Sequence, residues 1–142
     1  MFEGSMLVGC NVLLCEDCPD IQYLVTVMLE SAGASVTVAP DGKSGVKQIL
    51  LAAGAGNPFD VVLMDINMPV LDGLDATRLV RAEGYRRPIV AFTALTSPAD
   101  RRRCLEAGCD EHLPKPAEKK RLVSTVARWV KQGRAELQSV PA

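Results

Sequence analysis

Aromatic side chains are scarce in this chain: Phe, Tyr and Trp together make up 4% of it, with a single Trp. The basic residues are scattered and have no aromatics interleaved among them, so direct nucleic-acid binding is not expected. Histidine occurs once, and the five cysteines are odd in number and lack scaffold spacing. A disulfide framework is therefore excluded, and a reducing cytoplasm is the expected setting. Cys15-Glu-Asp-Cys18 is formally a CxxC, but no second Cys or His pair completes a zinc site. No apolar run approaches the roughly 18 residues of a membrane span, so no membrane contact is expected. The start of the chain carries Glu3 in place of a basic segment and has no long apolar stretch, which does not fit a secretory signal.

What is present is a chain of 142 residues, 48% hydrophobic, long enough for one domain with a core of its own and no staples. Residues 1–6 read as a cloning scar ending in a second methionine, residues 7–133 as the domain, and residues 134–142 as a flexible tail. Net charge is −1 but uneven: residues 1–73 hold nine acids and two bases, residues 74–142 eight acids and fourteen bases. The basic half reads either as solvated helix faces or as a docking surface.

Periodicity divides the chain into alternating strands and helices. Asn11 to Cys15 is a short apolar strand. Pro19 starts a helix with Ile21, Leu24, Val25, Met28 and Leu29 on one stripe, ended by Gly33. Ala34 to Ala39 alternates as a strand, and Asp41 opens a second helix that gives way to a loop from Gly54 to Pro58. The third helix is expected from Leu74 to Glu83, the fourth strand from Pro88 to Thr93, and the fourth helix from Pro98 until Gly108 closes it. Cys109 to Leu113 is the expected last strand, and Ala117 to Val130 the last helix. Repeated strand-then-helix units of this length indicate an α/β fold, a parallel sheet with helices on both faces.

The run from Phe59 to Gly73 carries the strongest chemical signal. An apolar stretch ends at one carboxylate, Asp65, and Met68-Pro69 and Asp72-Gly73 follow at once. A buried parallel strand presents its reactive residue at its carboxyl end, where ligands bind in open α/β sheets. By the same reading Glu16 and Asp17 end the first strand, Thr93 ends the fourth, and Lys115 follows the fifth. Three crowded carboxylates repel unless a cation neutralises them. Oxygen-only donors suit Mg²⁺. With the Thr93 hydroxyl and the Lys115 ammonium they form a clamp for a phosphoryl group, and a carboxylate inside it is a nucleophile giving an aspartyl phosphate.

On these residues the chain resembles the receiver domain of two-component response regulators, over about residues 9–132. The resemblance implies a flavodoxin-like doubly wound (βα)5 fold with a five-stranded parallel sheet in the order 2-1-3-4-5. It implies that Asp65 accepts the phosphoryl group. Asp17, Asp65 and the backbone carbonyl of Asn67 would then hold Mg²⁺, with Glu16 acting through water. It further implies that Thr93 contacts the phosphoryl oxygen, that Lys115 pairs with it, and that the Lys115-Pro116 bond is cis. Ala94 would admit the donor, and Asn67 and Leu95 would tune loss of the phosphoryl group to water. The donor would be a phosphohistidine on a histidine kinase or a histidine phosphotransfer domain. Beyond its own phosphorylation and dephosphorylation the domain is expected to catalyse nothing, although a parent protein would be a histidine kinase.

Two departures from the pattern stand out. His112 occupies the switch position where receivers usually carry Tyr or Phe, and it is smaller and titratable. Cys18 replaces a common Asn after the acidic pair. Residues 84–94 and 104–110 are similar to receivers of hybrid sensor kinases, which makes a hybrid sensor histidine kinase the expected parent. The alternatives are a stand-alone single-domain regulator and a phosphorylation-independent pseudo-receiver. A haloacid dehalogenase-type phosphatase would need an acid two residues after Asp65, where Asn67 stands. The face around residues 98–130, carrying Arg101, Arg102, Arg103, Lys119, Lys120 and Arg121, is the expected output surface and the surface of any weak dimer.

Overall fold

The computed structural model describes residues 6–139. Its elements alternate without interruption: β1 (Asn11–Cys15), α1 (Pro19–Ser31), β2 (Ser35–Ala39), α2 (Gly42–Gly54), β3 (Val61–Met64), α3 (Gly73–Ala82), β4 (Ile89–Thr93), α4 (Pro98–Ala107), β5 (Glu111–Pro114) and α5 (Lys119–Ser139). All pairings are parallel and the sheet order is β2-β1-β3-β4-β5. Parallel neighbours need crossover helices, and these cover both faces of the sheet. The central strands β3 and β4 are buried along their whole length, whereas the edge strand β2 alternates.

Local chemistry sets the helix starts. Asp41 accepts a hydrogen bond from the Ser44 N–H at 2.7 Å, and Asp72 one from the Asp75 N–H at 2.9 Å. Ser97 and Asp100 form a reciprocal capping box, with Pro98 in the first turn. Each such cap satisfies N–H groups that the helix leaves open, and is worth about 1 kcal/mol. Alternate residues of each strand point to opposite faces. Leu14, Leu63, Phe92 and Leu113 therefore meet Val25 and Leu29 of α1 and Leu122 and Val126 of α5. On the other face Leu13, Val62, Met64 and Ala91 meet Ile49 of α2, Val80 of α3 and Cys104 of α4.

Two boundaries depart from expectation. The last strand begins at Glu111, not Cys109, because the Cys109 N–H is used to close α4 on the Cys104 carbonyl at 3.0 Å. Gly108 makes that closure with φ 113°, a left-handed conformation that favours glycine. The last helix runs to Ser139, past Val130, where it was expected to end. Gly133 is a single weak position among strong helix formers, and its cost is about 1 kcal/mol, too little to stop the run. Residues 1–5 and 140–142, within the expected scar and tail, lie outside the described residues. No helix among the described residues is long and apolar enough to cross a membrane.

Candidate functional site

Sheet register, continued one residue past the strands, brings the expected residues together. The Glu16 N–H donates to the Ala39 carbonyl at 3.0 Å, the Asp65 N–H to Cys15 at 2.9 Å and the Lys115 N–H to Thr93 at 2.9 Å. Each functional side chain thus leaves from backbone still held by a sheet hydrogen bond. Glu16 is 1% exposed, Asp65 5% and Thr93 2%, whereas Asp17 lies at the surface.

One carboxylate oxygen from each of Glu16, Asp17 and Asp65 falls within 4.8 Å of the others. The Lys115 ammonium reaches into this group, 2.5 Å from Glu16 Oε1 and 3.4 Å from Asp65 Oδ1. It also lies 5.3 Å from the centre of the Phe92 ring, an attractive placement for a cation. The Asn67 N–H donates to Asp65 Oδ1 at 3.2 Å, and the Cys18 N–H to Glu16 Oε2 at 3.1 Å. Burial pushes the Asp65 carboxyl up to about 7; Lys115 pulls it back and the neighbouring Glu16 charge pushes it further up. The arrangement is short of positive charge, and its donors are all hard oxygens. A small divalent cation fits it, and a soft thiophilic metal does not.

Thr93 ends β4 with its hydroxyl oxygen accepting the Leu95 N–H at 3.1 Å. Ala94 and Leu95 are exposed beside it. The Lys115–Pro116 peptide is cis, and Pro116 is exposed. Asn67 sits at the surface, two residues past the end of β3. His112, on edge strand β5, places Nε2 2.6 Å from the Leu95 carbonyl oxygen. Cys15, Cys104 and Cys109 are buried, and burial raises their thiols, Cys15 and Cys109 to about 12. That burial fits packing, not metal or redox chemistry.

Sequence reasoning missed two roles. Gly73 was read as part of a turn, yet a Cβ there would lie 2.1 Å from the Asp65 carbonyl oxygen. Its N–H also donates to the Ile66 carbonyl at 2.9 Å, so the start of α3 is pressed against the backbone that presents Asp65. The Asp-Gly pair at a fixed distance from the strand was the available signal. The second is Glu16, assigned to a water-mediated metal contact but here the nearest partner of Lys115. Nothing in one-dimensional spacing reveals a pair separated by 99 residues.

Residues 12–127 match the family model described as the response regulator receiver domain, and the chain belongs to that family. It is 37% identical over 124 residues to Sensor protein GacS of Pseudomonas syringae pv. syringae, covering 84% of this chain and 13% of that protein. It is 38% identical over 121 residues to the two-component response regulator ORR41 of Oryza sativa subsp. japonica, covering 84% of this chain and 93% of that one. Among solved structures it resembles the receiver domain of the sensor histidine kinase PA1611 of Pseudomonas aeruginosa, which has a magnesium ion coordinated in its active site cleft. That match has a TM-score of 0.76 and 39% identity, over 87% of this chain and 99% of the other. The chain spans 13% of the length of the plant histidine kinases it matches, among them Histidine kinase 1 of Arabidopsis thaliana. The chain is a receiver domain of two-component phosphorelay signalling.

Proposed function

We propose that Asp65 takes a phosphoryl group from a partner's phosphohistidine, and that the domain serves a hybrid sensor histidine kinase, passing the group on to a histidine phosphotransfer protein. The observation that carries this reading is a nearly buried Asp65 carboxylate with two acids close by and an ammonium 3.4 Å from its oxygen. An Asp65 oxygen attacks phosphorus, the bond from phosphorus to the donor's imidazole nitrogen breaks, and the imidazole leaves with that electron pair. The Lys115 ammonium pairs with a phosphoryl oxygen, and the Thr93 hydroxyl donates to another. Asp17, Asp65 and the Asn67 carbonyl would hold Mg²⁺, with Glu16 behind them. When bound, the ion supplies positive charge against the phosphoryl oxygens and the crowded acids.

An apolar approach to the site lies beside α1. A cavity of about 320 Å³ lies between α1, at Ile21, Leu24 and Met28, and the edge of the site at Ala94, Lys115 and Pro116. Its lining is apolar apart from the lysine, and Tyr23, Leu24 and Val27 leave α1 apolar on its outer side. We assign this face to the histidine-bearing partner. The match to ORR41 over nearly that protein's whole length favours a second reading, a single-domain regulator. Both readings place the domain in the cytoplasm, in keeping with five free thiols.

Acetyl phosphate with Mg²⁺ tests the chemistry by intact mass. One added phosphoryl group is expected, absent in Asp65→Asn and absent in EDTA. No gain, together with no BeF₃⁻ binding, would replace this reading with a pseudo-receiver.

A further inference from the structure

The turn from Glu16 to Cys18 carries two acids of the cluster, and its backbone outruns the sheet. The Glu16 N–H makes the last rung, to the Ala39 carbonyl at 3.0 Å, and β2 ends at that residue. No further strand residue follows to donate to the Glu16 carbonyl, and a backbone carbonyl shielded from water needs a donor. The side chain of Gln22 supplies it, with Nε2 2.6 Å from the carbonyl oxygen. A carbonyl oxygen only accepts, so the amide nitrogen of Gln22 is the atom that faces it.

The start of α1 makes this bond matter. Helices α2, α3 and α4 each open on a capping side chain, from Asp41, Asp72 and Ser97. Cys18 opens α1 and makes no side-chain cap; a thiol is a weak acceptor. The Cys18 N–H turns to Glu16 Oε2 at 3.1 Å instead, and its carbonyl accepts the Gln22 N–H at 2.9 Å. Gln22 therefore grips the turn twice, by its backbone at Cys18 and by its side chain at Glu16. Asp17 stands between those two points and is exposed, so the backbone of the turn, more than packing, sets where its carboxylate points.

We infer that Gln22 is a positioning residue for the cation site: its side-chain amide fixes the turn that aims Asp17, and Mg²⁺ affinity depends on it. This rests on the receiver reading. Gln22 is half-buried on α1, beside Pro19, Tyr23 and Thr26, and it reaches the site through the Glu16 backbone. Mg²⁺ demands near-ideal octahedral geometry, so a turn that drifts loses affinity even when every donor atom is present. Groups that hold metal ligands in place are commonly worth about tenfold or more in affinity.

The probe is Mg²⁺ alone, titrated at neutral pH with the amide signals of Asp17 and Asp65 as readout; the β3 amides report that each variant is folded. Gln22→Met keeps the length of the side chain and loses the donor. Its dissociation constant for Mg²⁺ should rise about tenfold, and an unchanged constant would overturn the inference. Thr26→Ala, one turn further along α1 on the same groove, should bind as the native domain does. A rise equal to that of Gln22→Met would assign the effect to α1 as a whole and overturn the inference too. Gln22→Glu separates position from charge. A carboxylate has no proton to donate to the Glu16 carbonyl, while its negative charge alone would attract Mg²⁺. Weaker binding than in the native domain is expected despite that charge; equal or tighter binding would overturn the inference. A native domain that binds no Mg²⁺ removes the receiver reading and this inference together, whereas native binding with unaffected Gln22 variants removes only the inference.

Discussion

At the carboxyl edge of the sheet, Glu16 and Asp65 are buried and lie with Lys115 close enough to control one another. Along α4 the arginines Arg101, Arg102 and Arg103 point into solvent, and the one ion pair among them, Arg103 with Asp100, lies at the surface. The two regions carry comparable numbers of charges but use them differently. Burial turns charge into function at the edge, because each group there depends on its neighbour. Exposure leaves the charges of the flank screened by solvent, where single residues are worth a few tenths of a kcal/mol. Substitutions that remove one charge should therefore have large effects at the edge and small ones on the flank.

Lys115→Met breaks the edge most directly. It leaves Glu16 and Asp65 facing each other without a cation, and losing one partner of a buried ion pair costs about 3 kcal/mol. In EDTA the melting temperature should fall by about 10 °C. Mg²⁺ should return much of that loss in the variant and add less to the native domain. An equal Mg²⁺ effect in both would show that Lys115 is not the internal counterion of the metal-free site.

Asp65→Asn should work in the other direction. With its carboxyl raised to about 7, folded Asp65 binds its proton more tightly than unfolded Asp65 does. Stability is then full below the ordinary carboxyl range, near pH 4, and is lost as pH rises through about 7. In EDTA at pH 8 the asparagine should stabilise by on the order of 2 kcal/mol, net of the lost attraction to Lys115. The gain should shrink as pH falls towards 4. A gain independent of pH would mean that the buried charge is not its source.

On α3 a half-buried arginine ties this flank to the sheet. Arg81 donates to the carbonyls of Gly108, Tyr85 and Arg87 and pairs with Asp110 at 2.9 Å. Arg81→Met should cost about 2 kcal/mol. Hydrogen exchange should accelerate around residues 107–112 and leave residues 61–66 unchanged. Acceleration at the Asp65 end would show that edge and flank are one cooperative unit.

The element order and the edge cluster were legible for the same reason. Apolar runs that end in a polar residue mark both a strand and its carboxyl end, so Asp65, Thr93, Glu16 and Asp17 could be read from periodicity. Lys115 needed only the assumption that the last strand is parallel. Arg81 was not legible: its four partners lie in two loops, the one between α3 and β4 and the one between α4 and β5, and a lone arginine on a helix reads as solvated. The length of α5 was misjudged because the apolar stripe that marked it stops at Val130, while the helix itself continues to Ser139. The Gly73 approach to Asp65 depends on how α3 is set against the sheet, which spacing alone does not encode.

The smallest expected effect lies in the loop that joins the edge to α3. Val70 has φ 71°, the one non-glycine residue with positive φ among the described residues, and it is 77% exposed. A β-branched residue in this region carries strain that nothing buried repays. Val70→Asn adopts the same backbone more easily and should raise stability by about 0.5–1 kcal/mol. The informative measurement is acetyl phosphate labelling of the same variant. If strain at Val70 helps to set the backbone between Asp65 and Gly73, labelling should slow while the melting temperature rises. If the rate is unchanged, the close approach of Gly73 holds Asp65 in place without help from the loop. The edge would then be organised by the sheet and α3 alone.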